Sequence, residues 1–83
     1  MFHLGIDVSK KSCRYLLVNQ EGQKIKSFSL DNTHEAFQNL LKRLQELSIP
    51  KEDLLIGLEA SGGFWKNLYS HLKDNGFRVV LLN

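Results

Sequence analysis

Alternating apolar and polar positions open the chain. Phe2, Leu4, Ile6 and Val8 would lie on one side of an extended segment and the residues between them on the other, which is the period of a β-strand. A second apolar segment, Cys13–Val18, follows after a short polar turn. Two strands joined by such a tight turn are predicted to be antiparallel.

A third strand, Gln23–Leu30, is predicted after a polar turn that contains glycine. Its charged residues Lys24 and Lys26 are typical of an edge strand, because lysines discourage pairing with a further strand. The spacing then changes to that of an amphipathic helix, for which Asn32 or Thr33 would be the N-cap. The apolar positions that define this helix are Phe37, Leu40, Leu41, Leu44 and Leu47.

The second half of the chain reads as strand, helix and strand. Leu54–Glu59 is a short apolar run of the kind buried on both faces of a sheet. Phe64–Asn75 has apolar residues at helical spacing, beginning with Phe64, and Phe77–Leu82 predicts the last strand. The order βββαβαβ therefore predicts an α/β domain with a mixed five-stranded sheet. In that sheet strands 1, 4 and 5 are parallel and strand 2 is antiparallel.

Composition and charge narrow the class of protein. The chain has 83 residues and one cysteine, which indicates a single domain without an internal disulfide. It has neither the long apolar run of a membrane span nor the basic start of a signal peptide, so we expect a cytoplasmic protein. The formal net charge of +2 permits a nucleic-acid partner without requiring one.

Two carboxylates stand out because each lies at or near the end of a predicted strand. Asp7 is close to the end of the first strand, and Glu59 ends the fourth. If these strands are parallel neighbours, both side chains project from the carboxyl end of the sheet, where open α/β sheets bind ligands. A hard divalent cation, Mg²⁺ or Mn²⁺, would relieve their repulsion. Either residue taken alone is more typical of a turn or a cap.

Polar loop residues near these carboxylates are candidate nucleic-acid contacts. Ser9, Lys10 and Lys11 form the first turn, Arg14 flanks it, and Ser61 lies in the loop after the fourth strand. The basic residues could meet phosphates, and a solvated hairpin surface is the alternative role for them. Ser61 could hold a phosphate at the start of the second helix, or cap that helix.

Three segments resemble the N-terminal domain of the Piv/MooV-type DEDD transposases of bacterial insertion sequences. They are Gly5–Lys10 (GIDVSK), Leu58–Gly62 (LEASG) and Val79–Asn83 (VVLLN). The resemblance implies a RuvC-like domain of the RNase H-like fold, in which four acids (Asp-Glu-Asp-Asp) hold Mg²⁺ and support DNA cutting and joining. By motif match, Asp7 would be the first acid and Glu59 the second, both as catalytic residues and as metal ligands.

The same resemblance implies partners and a larger parent. DNA would be the substrate, a structured guide-type RNA would assist at least some members, and the parent would form a homo-oligomer. The third and fourth acids and a C-terminal domain have no counterpart in the chain. We therefore expect residues 1–83 to be a partial domain, truncated at its C-terminal side and inactive alone. Its sheet surface should be uncovered around Phe77, Val79 and Leu81, or on the opposite faces.

The sequence is also compatible with two other functions. Half-domains of sugar kinases and actin-like ATPases also begin with an Asp-bearing β-hairpin that binds ATP phosphates. They usually have a glycine-rich turn after that Asp, whereas the turn here is Val8-Ser9-Lys10-Lys11. The third possibility is an interaction module that keeps the fold without catalysing a reaction.

Overall fold

The computed structural model describes residues 1–82, within which the predicted strands and helices all form. Asn83, the last residue of the third motif, lies outside the described residues. A short 3-10 turn at Lys51–Asp53, which the sequence pattern did not predict, precedes the fourth strand. The regular elements in chain order are β1 (Phe2–Val8), β2 (Ser12–Val18), β3 (Lys24–Asp31), α1 (His34–Glu46), β4 (Leu54–Glu59), α2 (Lys66–Asp74) and β5 (Arg78–Leu82).

The strands form one mixed sheet in the order β3-β2-β1-β4-β5. β1 is parallel to β4 and β4 to β5, while β2 is antiparallel to both β1 and β3. This confirms the predicted α/β topology and places the lysine-bearing β3 at an edge. It follows that β1, β3, β4 and β5 all end on the same side, which we call the carboxyl end of the sheet.

One face of the sheet carries the core. Leu4, Ile6 and Val8 of β1 are buried on this covered face, as the alternation predicts. Both helices contribute to the same cluster, which makes it the only face that they pack against in residues 1–82. The opposite, open face has no helix over it in the described part of the chain. The remaining buried apolar residues of the core are Cys13, Tyr15, Leu17, Phe37, Leu40, Leu44, Leu54, Ile56, Leu58, Leu68, Leu72 and Phe77.

The prediction that β4 is buried on both faces is wrong. Leu54, Ile56 and Leu58 are fully buried, but Leu55 and Gly57, which point to the open face, are only half-buried. The physical reason is that both helices lie on one side. An uninterrupted apolar run shows that both faces of the strand carry apolar side chains. It does not show what covers either face.

The two helix starts differ in how they are capped. Thr33 caps α1, since its hydroxyl oxygen accepts a hydrogen bond from the Ala36 backbone N–H at 3.2 Å. α2 begins at Lys66, two residues later than the predicted Phe64, and no side chain caps it. Ser61 is therefore not its N-cap. Phe64 is 49% exposed instead of joining the core, because Gly62 has a φ of 70° and keeps the preceding segment in a turn.

Exposed apolar surface is found on β5, in part where it was predicted. Phe77 is buried, although it was predicted to lie at uncovered sheet surface, whereas Leu81 is 40% exposed as predicted. Val80 and Leu82 on the open face are 45% and 47% exposed. None of the helices described in residues 1–82 has the length and apolarity needed to cross a membrane.

Candidate metal and nucleic-acid site

The structure brings Asp7 and Glu59 to neighbouring positions. The parallel register pairs Ile6 of β1 with Leu58 of β4. Asp7 and Glu59 are the next residues on these two strands, so they lie side by side. Neighbouring strands in a sheet lie about 4.8 Å apart. Gly5 and Gly57, paired two residues earlier, point to the open face, and by the same alternation so do the two carboxylates.

A depression of about 700 Å³ on the open face contains both carboxylates. Its floor is formed by the paired glycines Gly5 and Gly57. A Cβ atom at position 57 would lie 3.1 Å from the Cδ1 atom of Leu82, which lines the depression from β5. Glycine at position 57 therefore keeps the depression deep and leaves room for the Leu82 side chain to lie across β4. Leu16 lines the depression from the other side.

Arg14 places a positive charge beside the carboxylates. It lies directly opposite Asp7 in the antiparallel pairing of β1 with β2, and it lines the same depression. Its neighbours Cys13 and Tyr15 are buried on the covered face, so Arg14 points to the open face. The sequence placed Arg14 only near the first turn. Its position against Asp7 depends on the hairpin register, which alternation alone does not fix.

Cys13 is not available as a further ligand. It is fully buried on the covered face. Burial, together with a smaller contribution from the negative charge of Asp7, raises the pKa of the Cys13 thiol. A thiol is a metal ligand only as the thiolate, and burial disfavours that form here.

The first turn is held by its own serines. The Ser9 backbone N–H donates to the Ser12 carbonyl at 2.8 Å, and the Ser9 hydroxyl donates to the same oxygen at 3.0 Å. Lys10 and Lys11 between them are exposed. These three predicted contact residues lie at the carboxyl end of the sheet but outside the depression. The hydroxyl of Ser9 has a structural role in the turn.

Ser61 lies in the loop between β4 and α2, exposed and outside the depression. The loop closes on itself, since the indole N–H of Trp65 donates to the Gly62 carbonyl at 3.0 Å. α2 begins five residues after Ser61, so this serine is not at the helix N-terminus where a phosphate would be favoured. Ser61 is placed at the same end of the sheet as Asp7 and Glu59, without being joined to them.

Asn32 connects the two loops that follow the carboxylate-bearing strands. Its side-chain amide donates to the Ser9 carbonyl at 2.9 Å and to the Phe64 carbonyl at 3.1 Å. Its backbone N–H donates to the Lys11 carbonyl at 2.9 Å. The sequence pattern indicates Asn32 only as a possible helix cap, because its partners are backbone carbonyls that lie far along the chain and that no residue type marks.

The donor set suits a hard, partly hydrated cation. Within residues 1–82 no group of three or more His, Cys, Asp or Glu side chains is placed to hold a metal. A closed zinc-type site is therefore not formed by this part of the chain. Mg²⁺ commonly uses one or two carboxylates, together with waters and substrate phosphates. Asp7 and Glu59 fit that role as two oxygen-donating side chains at the edge of an open depression.

Comparison with solved structures supports the fold. No match is found among the curated proteins. Among solved structures, a protein from Bacteroides thetaiotaomicron, described as having an actin-like ATPase fold and unknown function, aligns with a TM-score of 0.78 at 18% identity. The alignment covers 99% of this chain and 32% of that one, so the chain spans about a third of that protein's length. At this identity the likeness shows the fold alone.

Comparison with protein-family models identifies the family of the chain. A family model described as a transposase, of the IS110-type DEDD group, matches residues 4–83. This range runs from β1 to the end of the chain and includes the segments that carry Asp7 and Glu59. The chain therefore belongs to the IS110-type DEDD transposase family.

Proposed function

We propose that Asp7 and Glu59 together hold a divalent metal ion, Mg²⁺ or Mn²⁺, as the first half of the catalytic centre of a DNA transposase. The observation that carries the proposal is their adjacent placement on parallel strands, above a glycine-floored depression, in a chain of this family. In the parent protein two further acids would complete the site. The chain alone would bind metal weakly and would not cleave DNA.

The residues of the chain have distinct roles in this proposal. Asp7 and Glu59 supply carboxylate oxygens and fix where a scissile phosphate lies. A divalent ion bound there supplies activation of a water or hydroxyl and stabilisation of the leaving oxygen in phosphoryl transfer. Arg14, opposite Asp7 in the same depression, offers a fork of N–H donors that suits a phosphate.

Residues around the depression would meet the rest of the nucleic acid. Lys10 and Lys11 on the first turn are exposed at the same end of the sheet and would contact neighbouring phosphates. Ser9 and Ser61 would act through the backbone conformation of their loops or through direct hydrogen bonds. Family membership alone supports the remaining parts of the proposal, which are a bacterial cytoplasmic parent, its homo-oligomer and a structured guide-type RNA.

An ATPase half-domain is the second candidate, since the aligned Bacteroides protein has an actin-like ATPase fold. The first turn argues against it. Phosphate-binding turns use glycines so that backbone N–H groups approach the ligand closely. The turn from Ser9 to Ser12 has no glycine, and its serines are bonded to one another.

Metal-dependent stabilisation tests the proposal on the chain itself. At a MnCl₂ concentration ten times the dissociation constant, binding to the folded state adds about 1.4 kcal/mol. For a domain of this size that raises the Tm by roughly 6–11 °C in a thermal unfolding experiment. Asp7→Asn and Glu59→Gln should each abolish the rise. Without metal, Glu59→Gln should be as stable as the wild type or more so, because the repulsion between the carboxylates is removed.

The matched control is Glu52→Gln. Glu52 is exposed on the 3-10 turn at the opposite end of β4, and the substitution removes the same charge. It should keep the full Mn²⁺-dependent rise in Tm. An equal loss of the rise in Glu52→Gln and Glu59→Gln would mean that Mn²⁺ responds to net charge alone, and the proposed site would be rejected.

A further inference from the structure

We infer that Asn32 is a positioning residue for the Asp7–Glu59 site, acting as a clamp between the turn after β1 and the loop after β4. The inference rests on the proposed function of those carboxylates. Asn32 lies directly after β3, at the carboxyl end of the sheet, and is half-buried. It touches neither the depression nor the carboxylates, so its effect passes through the backbone of the two loops.

The hydrogen bonds of Asn32 use both hydrogens of one amide group. One goes to the carbonyl of Ser9, two residues after Asp7, and the other to the carbonyl of Phe64, five residues after Glu59. The backbone N–H of Asn32 adds a bond to Lys11 in the same turn. A single side chain thus connects the segment that leaves Asp7 with the segment that leaves Glu59.

The strand pairing shows why such a connection matters at this place. The ladder between β1 and β4 ends at the row of Ile6 and Leu58, one residue before the carboxylates. Beyond that row, Asp7 pairs with Arg14 on β2 and Glu59 pairs with Leu82 on β5, so each carboxylate residue is paired with the strand on its far side. The ladder therefore fixes the distance between the carboxylates from one side, and Asn32 fixes it from the other.

The chemistry of the site makes that distance important. Two carboxylates repel one another, so without a constraint the two strand ends would tend to separate. A metal ion needs both oxygen donors within one coordination sphere. Loss of a hydrogen bond to a ligand itself commonly weakens metal affinity by ten- to a hundredfold, so a residue that acts through the backbone should have an effect at the lower end of that range. Asn is suited to the position because its amide donates two hydrogen bonds at short reach, which neither Asp nor Leu offers.

The test compares Asn32→Leu with Thr33→Ala in the same chain. Leucine has the same number of side-chain heavy atoms as asparagine, branched at the same carbon, and no donors. Thr33→Ala removes the neighbouring α1 cap, which touches neither loop, and therefore controls for lost stability. Mn²⁺ dissociation constants are measured by electron paramagnetic resonance, with global stability measured in parallel. We expect about tenfold weaker binding in Asn32→Leu and a change of less than twofold in Thr33→Ala.

The outcomes separate this inference from the proposed function. If the wild-type chain binds no Mn²⁺ that depends on Asp7 and Glu59, the proposed function fails. If the wild type binds and Asn32→Leu binds equally well, the clamp is disproved while the metal site stands. If Asn32→Leu does not fold, Asn32→Ser replaces it. Serine keeps one donor, so an intermediate affinity supports the clamp and wild-type affinity overturns it.

Discussion

Replacing Asp7 by Asn in the transposase proposed above is expected to slow DNA strand cleavage by about a thousandfold or more. A catalytic metal contributes several kcal/mol of transition-state stabilisation, and each 1.36 kcal/mol is a factor of ten in rate. The substitution keeps the shape of the side chain and removes its charge, so the fold should persist. The measurement is single-turnover cleavage of DNA that carries the ends of the element, with MgCl₂ present.

Glu59→Gln should have a similar effect, and the double variant should be little slower than the slower single variant. Residues that hold one metal act as a unit, so their contributions do not add. Asp53→Asn is the control, because Asp53 is exposed on the 3-10 turn before β4, far along the strand from the carboxyl end. Wild-type cleavage by Asp7→Asn would contradict the catalytic role and favour an interaction module that keeps the fold.

Replacing Leu58 by Ala is expected to destabilise the domain by about 2–5 kcal/mol. Leu58 is fully buried on the covered face, in the row between Ile6 and Leu81. Small domains have net stabilities of roughly 5–15 kcal/mol, so the loss would be a large part of the total. Urea unfolding followed by circular dichroism measures the change.

Leu16→Ala is the matched control for this prediction. It removes the same atoms from β2, but Leu16 is 44% exposed on the open face. Exposed substitutions usually change stability by less than about 0.5 kcal/mol. Similar losses for Leu16→Ala and Leu58→Ala would show that the two faces of the sheet are equally covered in solution, against the one-sided core described above.

Much of this fold could be predicted because the relevant signals are local. Alternation in β1 identified the covered face, and the two lysines of β3 indicated an edge. The helical spacing from Phe37 to Leu44 located α1 and its buried stripe. Each of these patterns depends on which side chains of a single strand or helix are buried. The spacing of apolar residues along that element indicates this directly.

The features that could not be predicted depend on contacts between distant segments. The apolar run of β4 suggested burial on both faces, yet only the helices decide which face is covered. The late start of α2 follows from the backbone turn at Gly62, which competes with helical propensity. The clamp formed by Asn32 and the position of Arg14 opposite Asp7 depend on tertiary structure and on strand register.

For the candidate site, the sequence indicated which carboxylates to consider and the structure supplied their surroundings. Motif spacing and the parallel-strand rule predicted Asp7 and Glu59 at one end of the sheet. The glycine floor was not recognised, because the pairing of Gly5 with Gly57 exists only in the assembled sheet. Ser61 lies in the predicted loop, but α2 begins at Lys66, so neither of its predicted roles at the helix start is possible.

The adjacent placement of Asp7 and Glu59 as a metal-binding pair is tested most directly by paramagnetic broadening. Trace MnCl₂ is added to the ¹⁵N-labelled chain, and the amide resonances are followed by NMR. If the two carboxylates bind one ion, the amides of Asp7, Val8, Glu59 and Ala60 broaden first, while those of Glu52 and Asp53 stay sharp. Sharp resonances at Asp7 and Glu59, with broadening elsewhere in the chain, would show that these carboxylates are not a metal-binding pair.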